Sequence, residues 1–502
     1  MNSPCLTIAD VLGGATEDLS VPNPIGNLPV AGLEYDSRKV EPGYLFFAFP
    51  GAKVDGRQFA TKALENGAVA VVSELDAPEG LAGPWIRVPH GRKALAAAAR
   101  RFYGAPDAKL GITGITGTNG KTTTSYLIDS VLRAAGNVTA VVGTIEYHLA
   151  GRVMKAANTT PESLDLFRMF DELLRAGGAN ATMEVSSHAL ALGRVHGIHF
   201  HTGVFTNLTR DHLDFHGTMD AYFEAKRLLF VPEGAPAPPH AVLNADDDWS
   251  YRIDPPSGTN VYWYGIGDRA EVRARDVRFS FDGLEFRLEM PGTVETRITS
   301  PLVGRHNVYN ILAAICTGLS YGVDMATVAQ GIQECRTVPG RFERIDMGQP
   351  FLVVVDYAHT DDALRNLIGV ARALNPKRVI TLFGCGGDRD RAKRPLMGMA
   401  AAEASDFVVL TSDNPRSEDP LAIINDALVG LNRFDTPHLI EPDRHTAIQR
   451  AIQRAEEGDI VLIAGKGHEP YQVLKDRTID FDDREIAREV LLGMGFGRKG
   501  RS

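Results

Sequence analysis

The chain has 502 residues, 44% of them hydrophobic, and its 53 basic and 63 acidic side chains leave a net charge of −10. That length suits about three ordinary domains, each with its own core, and the negative surplus excludes a broad electrostatic grip on nucleic acid or anionic membrane. Four cysteines, Cys5, Cys316, Cys335 and Cys385, show no paired spacing, which fits reduced structural thiols better than a disulfide framework or a zinc site. No basic segment leads into an apolar run at the N-terminus, and no stretch is long and apolar enough to span a bilayer, so the expectation is a cytoplasmic protein with no membrane span.

In chain order, residues 1–107 carry short apolar runs, Tyr44 to Phe49 and Ala68 to Ser73, with helical stretches between, and end at Tyr103-Gly104-Ala105-Pro106. This predicts an N-terminal α/β domain. Residues 108–338 alternate strands and helices as a parallel sheet covered on both faces does, interrupted by a polar, hairpin-like region from Asn260 to Ile298. Pro232 to Pro239 reads as a surface loop. A second boundary falls at Val338-Pro339-Gly340-Arg341. Beyond it, Phe351 to Val355, Val379 to Phe383, Phe407 to Leu410 and Ile460 to Ala464 read as buried strands between helices, predicting a Rossmann-like α/β domain over 339–502.

Within the central segment, Gly114-Ile115-Thr116-Gly117-Thr118-Asn119-Gly120-Lys121-Thr122-Thr123-Thr124 joins an apolar strand, Ala108 to Ile115, to a helix patterned from Ser125 to Ala135. Glycines let backbone N–H groups close on phosphate oxygens, Lys121 adds a cation toward the terminal phosphates, and the Thr122 hydroxyl is a Mg²⁺ ligand type. ATP or a similar nucleotide is the expected ligand. The loop departs from the common Walker pattern, with Ile115 where that pattern has glycine, which argues against an ordinary GTPase or motor. Glu184, in Met183-Glu184-Val185-Ser186-Ser187-His188, ends a strand and is placed to hold Mg²⁺. The run Asn207 to His216 is dense in His and Asp, and Lys226 sits on an apolar helix face. The bland account makes His212 a hydrogen-bonded core histidine and lets Lys226 snorkel to water.

The phosphate loop, Met183 to His188, Asn207 to Asp214, Ala225-Lys226, and Gly304-Arg305-His306-Asn307 with Asn310 together resemble the Mur ligases, ATP-dependent amide-bond synthetases of peptidoglycan-precursor assembly. The resemblance covers nearly the whole chain. Tyr35-Asp36-Ser37-Arg38 and Asn158-Thr159-Thr160 are similar to motifs of the branch that adds the third amino acid to UDP-N-acetylmuramoyl-L-alanyl-D-glutamate. It implies that a substrate carboxylate attacks the ATP γ-phosphate to give an acyl phosphate, which the incoming amine then resolves. It also implies ATP contacts from Gly117, Thr118, Asn119, Gly120, Lys121, Thr122, Thr123, Asn307, Asn310, Arg341 and Asp356. Thr122 and Glu184 would serve one Mg²⁺, and His212 and Lys226 a second, with Lys226 carbamylated by CO₂ because an ammonium cannot ligate a metal. Ser37, Asn158, Thr159, Thr160, Ser186 and Arg194 would meet the UDP-sugar peptide. Two family contacts are not carried over, because the positions hold Leu192 and Ala52-Lys53-Val54 instead.

The third segment holds Gly386-Gly387-Asp388-Arg389-Asp390, Thr411-Ser412-Asp413-Asn414-Pro415-Arg416 and Gly465-Lys466-Gly467-His468-Glu469. Asp-Asn-Pro-Arg is similar to the signature of family members adding meso-diaminopimelate. Arg389 and Arg416 can grip a distal carboxylate and Glu469 its ammonium, with Asp413, Asn414, Pro415 and Gly465 shaping the site. L-Lysine and L-ornithine lack that carboxylate and would leave an arginine facing a like charge. As a plain sequence, Asp-Asn-Pro-Arg is also a turn. A folylpolyglutamate synthetase is the rival ligase, disfavoured by the N-terminal segment and by Asp-Asn-Pro-Arg. A non-catalytic nucleotide switch would not need Glu184, His212 and Lys226 together. A monomer is expected.

Overall fold

The computed structural model describes residues 6–13, 25–51, 54–280, 283–292 and 295–497. The chain divides into two compact units, the first holding most residues up to Ala274 together with Tyr309–Ile332, and the second most residues from Gln333 onward together with Arg275–Leu288 and Glu295–Val308.

The first unit opens with a four-stranded parallel sheet, β1 (Gly32–Glu34), β2 (Tyr44–Phe47), β3 (Ala70–Ser73) and β4 (Trp85–Arg87). Its central sheet takes β5 (Gly111–Thr116), β6 (Thr139–Val142), β7 (Glu146–Leu149), β8 (Arg152–Lys155), β9 (Asn180–Glu184), β10 (Thr202–Phe205), β11 (His240–Asn244) and β12 (Asn260–Gly265). The order is β12-β11-β10-β5-β9-β6-β7-β8, parallel through β6, with β7 and β8 added antiparallel. β5 reads Gly-Ile-Thr-Gly-Ile-Thr and is buried on both faces, as a central parallel strand must be. Helix Ser163–Arg175 buries Leu164, Leu166, Phe167, Phe170 and Leu173 at helical spacing, each worth about 1.5–3 kcal/mol of burial.

The region Asn260 to Ile298 is only partly hairpin. β12 pairs parallel with β11, from His240↔Asn260 to Asn244↔Tyr264, and the first residues of β13 (Val272–Ser280) continue that parallel pairing on β12. Antiparallel pairing belongs to β14 (Gly283–Glu289) and β15 (Thr296–Ser300), in the second unit. The polar alternation of β13 misled because one exposed face produces it in either strand direction. Pro232 to Pro239 is irregular, as expected.

The second unit carries β16 (Glu343–Arg344), β17 (Leu352–Asp356), β18 (Val379–Cys385), β19 (Phe407–Ser412), β20 (His438–Ile440) and β21 (Ile460–Ala464) in the order β16-β17-β21-β18-β19-β20. All neighbours are parallel except β16 with β17. The fold class is therefore mixed α/β with doubly wound parallel sheets. Cys316, Cys335 and Cys385 are buried and form no disulfide with one another, while Cys5, Ala52 and Lys53 lie outside the described residues. Among the described residues, no helix is long and apolar enough to cross a membrane.

Candidate active site

The site of the first unit is built where β5, β9 and β10 end, the edge at which open parallel sheets present ligand-binding loops. Between β5 and helix Lys121–Ala134 the chain makes a turn that side chains would block. Gly117 has φ +147°, and a Cβ there would lie 1.9 Å from Thr206 Oγ1. Gly120, at φ +89°, would meet Asn310 Oδ1 at 2.5 Å. β10 supplies the brace. Thr206 Oγ1 donates to Asn119 O at 2.6 Å, Asn119 N donates to Asn207 Oδ1 at 2.9 Å, and Thr118 N donates to Asn207 O at 2.8 Å. Thr206 and Asn207 were missed as loop-shaping residues by sequence reasoning; the Thr-Asn pair directly after an apolar run was the available signal.

Lys121 Nζ donates to Gly117 O and Thr118 O, both at 2.9 Å. Lys226, on helix Met219–Arg227, is 1% exposed and donates to the same Gly117 O at 2.8 Å, with its Nζ 4.5 Å from the centre of the Tyr222 ring. It does not snorkel. Burial first, and Lys121 second, hold its ammonium well below the usual lysine range. Thr122 and Thr123 open the helix, 4% and 7% exposed.

Glu184 ends β9 beside β5, in register with Ile115, and is 1% exposed. Its carboxylate accepts from Thr144 N at 2.9 Å and Thr144 Oγ1 at 3.0 Å. Thr144 Oγ1 meets Thr159 Oγ1 at 3.1 Å, and Thr160 Oγ1 donates to Glu184 O at 2.9 Å. Ser186 N donates to Thr160 Oγ1 at 3.1 Å, while Ser186 Oγ caps helix Ser187–Ala191 by accepting from Ala189 N. Arg194 donates to Thr160 O at 3.0 Å and pairs with Glu162 at 3.1 Å; Arg92 reaches the same carboxylate at 3.3 Å. The Asn158 carbonyl accepts from Tyr147 OH at 2.5 Å. One continuous network therefore joins Thr159, Thr160, Glu184, Ser186 and Arg194. Ser37 is separate, on a short turn capped by Asp36, its carbonyl accepting from Asn66 at 2.8 Å.

His212 is not the core histidine of the bland account. Its backbone is left-handed, φ +51°, and its side chain is 47% exposed, 3.4 Å from Asp211. Burial lowers its imidazole from the usual histidine range, with Asp211 opposing and Lys121 and Lys226 adding to the fall. Its ring lies edge-on to His188 at 4.9 Å. Asn310 Oδ1 accepts from Thr124 Oγ1 at 3.2 Å.

In the second unit, Asn307 donates to Val303 O at 2.7 Å. Arg341 stands over the Tyr357 ring at 5.1 Å, and its buried Nε has no hydrogen-bond partner among the described residues. Asp356, at the end of β17, accepts from Phe342 N at 2.7 Å and Ala358 N at 2.8 Å. Burial pushes its carboxyl above the usual range, and Arg341 pulls against that.

The ends of β18, β19 and β21 bring together most of the third-segment residues. Arg416, at φ +53°, donates to Gly387 O at 2.7 Å, and a Cβ on Gly387 would lie 1.9 Å from Pro415 O. Asn414 donates to Glu469 Oε2 at 3.0 Å, and Gln472 donates to Asp413 O at 2.6 Å. Gly465 has φ +119°, and a Cβ there would approach Asp413 Oδ2 to 2.7 Å. Arg389 is exposed and donates to Asp388 O at 3.3 Å, and a Cβ on Gly386 would lie between it and Arg416, 3.9 Å from Arg389 Cγ and 3.0 Å from an Arg416 guanidinium nitrogen. Buried Arg394, 1% exposed, holds Glu418 and Asp426 beneath the Arg416 loop.

Taken together, a phosphate loop with two lysines on one carbonyl, a buried carboxylate at the neighbouring strand end and a polar network beyond it define an ATP-using, bond-forming enzyme. Comparison with known proteins makes the class specific. The model for the Mur ligase family, catalytic domain, matches residues 29–103, that for the Mur ligase middle domain 115–318, and that for the Mur ligase, glutamate ligase domain, 340–467. The chain is 66% identical over 489 residues to a protein of Solibacter usitatus named UDP-N-acetylmuramoyl-L-alanyl-D-glutamate--2,6-diaminopimelate ligase, covering 97% of this chain and 99% of the relative. A Geobacillus thermodenitrificans protein of the same name is 48% identical, covering 93% and 96%. A solved structure titled as that ligase superposes with a TM-score of 0.72 at 34% identity, covering 98% and 99%. The chain belongs to the Mur ligase family, and it is an ATP-dependent acid–amino-acid ligase.

Proposed function

We propose that this enzyme adds meso-2,6-diaminopimelate to UDP-N-acetylmuramoyl-L-alanyl-D-glutamate in the cytoplasm. The relatives' names support that reading. The observation that carries it is the pairing of opposite charges around Asn414, with Glu469 bonded to its amide and Arg416 two residues on, anchored at Gly387 O. Such a pair fits the distal amino-acid end of diaminopimelate, whereas L-lysine and L-ornithine offer an ammonium alone. We assign residues 1–107 to the UDP-sugar, 108–338 to ATP and 339–502 to the amino acid.

The glutamyl carboxylate attacks the γ-phosphate, ADP leaves, and the amine attacks the acyl-phosphate carbonyl with release of inorganic phosphate. Backbone N–H groups of Gly117, Gly120 and Lys121 cradle the phosphates, those of Thr118 and Asn119 being held by Asn207, and Lys121 neutralises the transferring group. The family resemblance gives further ATP contacts to Asn310 of the first unit and to Asn307, Arg341 and Asp356 of the second, and Thr159, Thr160, Ser186 and Arg194 hold the peptide end. The Thr122 hydroxyl and Glu184 carboxylate are hard oxygen donors suited to Mg²⁺, which when bound neutralises phosphate charge. His212 and a carbamylated Lys226 would hold a second ion. Lys226 needs carbamylation for that role, and its depressed basicity supports it, because the neutral amine is the form that captures CO₂.

The test is phosphate release by purified enzyme with ATP, Mg²⁺ and the UDP-sugar dipeptide, comparing meso-diaminopimelate, L-lysine and L-ornithine, with product mass determined. Turnover with meso-diaminopimelate alone supports the reading. Turnover confined to lysine or ornithine overturns the substrate assignment and keeps the ligase.

A further inference from the structure

Lys466 is the group beneath the amino-acid site that the roles above leave unused. It follows β21 and is 0% exposed, an expensive position for a lysine unless its charge is met. Two glycines turn the chain inward around it. Gly465 has φ +119° and Gly467 φ +53°, and a Cβ on Gly467 would press on Tyr357 Cβ at 2.7 Å and Gly340 O at 2.9 Å. The ammonium arrives at Asn414 Oδ1, 3.1 Å away, with Glu469 Oε2 at 3.5 Å and Asp413 Oδ1 at 3.9 Å. Asn414 Oδ1 also accepts from Val473 N at 2.9 Å, so its oxygen is committed twice. The Asn414 amide is thereby fixed one way round, with Nδ2 aimed at Glu469 Oε2 at 3.0 Å. Glu469 Oε1 is turned instead toward Tyr357 OH, 3.5 Å away. The other buried cation nearby, Arg444, is hydrogen-bonded to its own carboxylate, Asp483, at 2.6 Å, and feels Asp413 and Glu469 only after it.

We propose that Lys466 is the positioning residue of the amino-acid site: it locks the Asn414 amide and one oxygen of Glu469, leaving Glu469 Oε1 to receive the substrate's distal ammonium. This rests on the diaminopimelate reading given above. The role concerns one substrate of three, which separates it from a general structural role. A buried plug would serve all substrates alike; a positioning residue acts on the amino acid.

The experiment compares wild type, Lys466→Met, Lys466→Arg, Asn414→Ala and the Lys466→Met/Asn414→Ala double variant, with each substrate varied in turn and thermal melting recorded. Losing an ion-paired hydrogen bond at the site predicts a KM for meso-diaminopimelate raised about 10- to 100-fold in Lys466→Met, with KM for ATP and for the UDP-sugar dipeptide moving less than about twofold. Lys466→Arg, which keeps the charge, recovers part of the loss. Because both side chains act as one unit, the double variant loses no more than the worse single variant. Parallel deterioration for all three substrates, or losses that multiply in the double variant, overturns the proposal. Should Lys466→Met not fold, Lys466→Arg carries the same comparison of the three KM values. A wild-type enzyme that does not use meso-diaminopimelate instead refutes the substrate reading, whatever the variants do.

Discussion

The phosphate loop and the amino-acid cluster solve opposite electrostatic problems. The loop gathers two lysine nitrogens on one backbone oxygen, Lys121 and Lys226 both donating to Gly117 O, with Lys121 as the cation and Lys226 held toward its neutral form by burial. The amino-acid cluster answers each buried cation with carboxylates: Lys466 with Asp413 and Glu469, Arg444 with Asp483, Arg394 with Glu418 and Asp426. A site for a polyanion gains by holding positive charge over neutral dipoles, whereas a site for a zwitterion must hold both signs apart. Shape follows the same division. The loop is held by glycines and short neutral side chains, the cluster by long charged ones.

The largest expected effect is on the loop's buried lysine. Lys226→Ala should lower turnover by about 10²–10³-fold, the usual cost of one preorganised electrostatic group. Partial rescue by a short-chain carboxylate would sharpen the carbamate assignment, and full activity without rescue would remove it. Next, Gly117→Ala places a methyl against Thr206 Oγ1 at a left-handed φ. It should cost about 1–3 kcal/mol of stability in urea denaturation and weaken ATP binding in calorimetry. In the other region, Arg416→Ala should raise KM for meso-diaminopimelate about 10- to 100-fold and leave KM for ATP within about twofold. If both KM values rose together, the division into two electrostatic problems would fail.

The smallest effect concerns acid stability. Burial, with His240 adding to it, pushes His201 down to about 4. The unfolded chain therefore takes up a proton near the usual histidine value, about 6.5, that the folded chain refuses. The stability of neutral His201 is fully present above that value and is lost as pH falls from about 6.5 toward 4. His201→Phe keeps the ring stacked on Tyr321 at 4.2 Å and should flatten the fall in urea midpoint between neutral and mildly acid pH. An unchanged slope would show that another group carries it.

Much of this was legible in the sequence where one residue's environment is set by its neighbours along the chain. The runs expected as strands at 351–355, 379–383, 407–410 and 460–464 fall on β17, β18, β19 and β21. The loop's strand-turn-helix setting was readable because glycine and apolar periodicity are local signals. Contacts across the sheet were not. Nothing near Gly117 in sequence indicates that Thr206 fills the space where its side chain would be. The hairpin of β7 and β8 was missed too, its turn at Ala150 and Gly151 lacking an asparagine or aspartate to mark two left-handed residues, φ +49° and +84°. Lys466 was invisible for the same reason, since a lysine between glycines reads as a solvated loop until the strand end beneath it is known.

The Arg92–Glu162–Arg194 triad ties the network around Thr160 to helix Gly91–Phe102, with one carboxylate shared by two guanidiniums. Glu162 is 8% exposed, and its second oxygen is buried without a hydrogen bond among the described residues. An incoming anion that draws Arg194 away leaves Glu162 with Arg92 as its remaining counter-charge. The carboxylate thus works as a shared clasp, and loss of either guanidinium leaves a buried negative charge only half met.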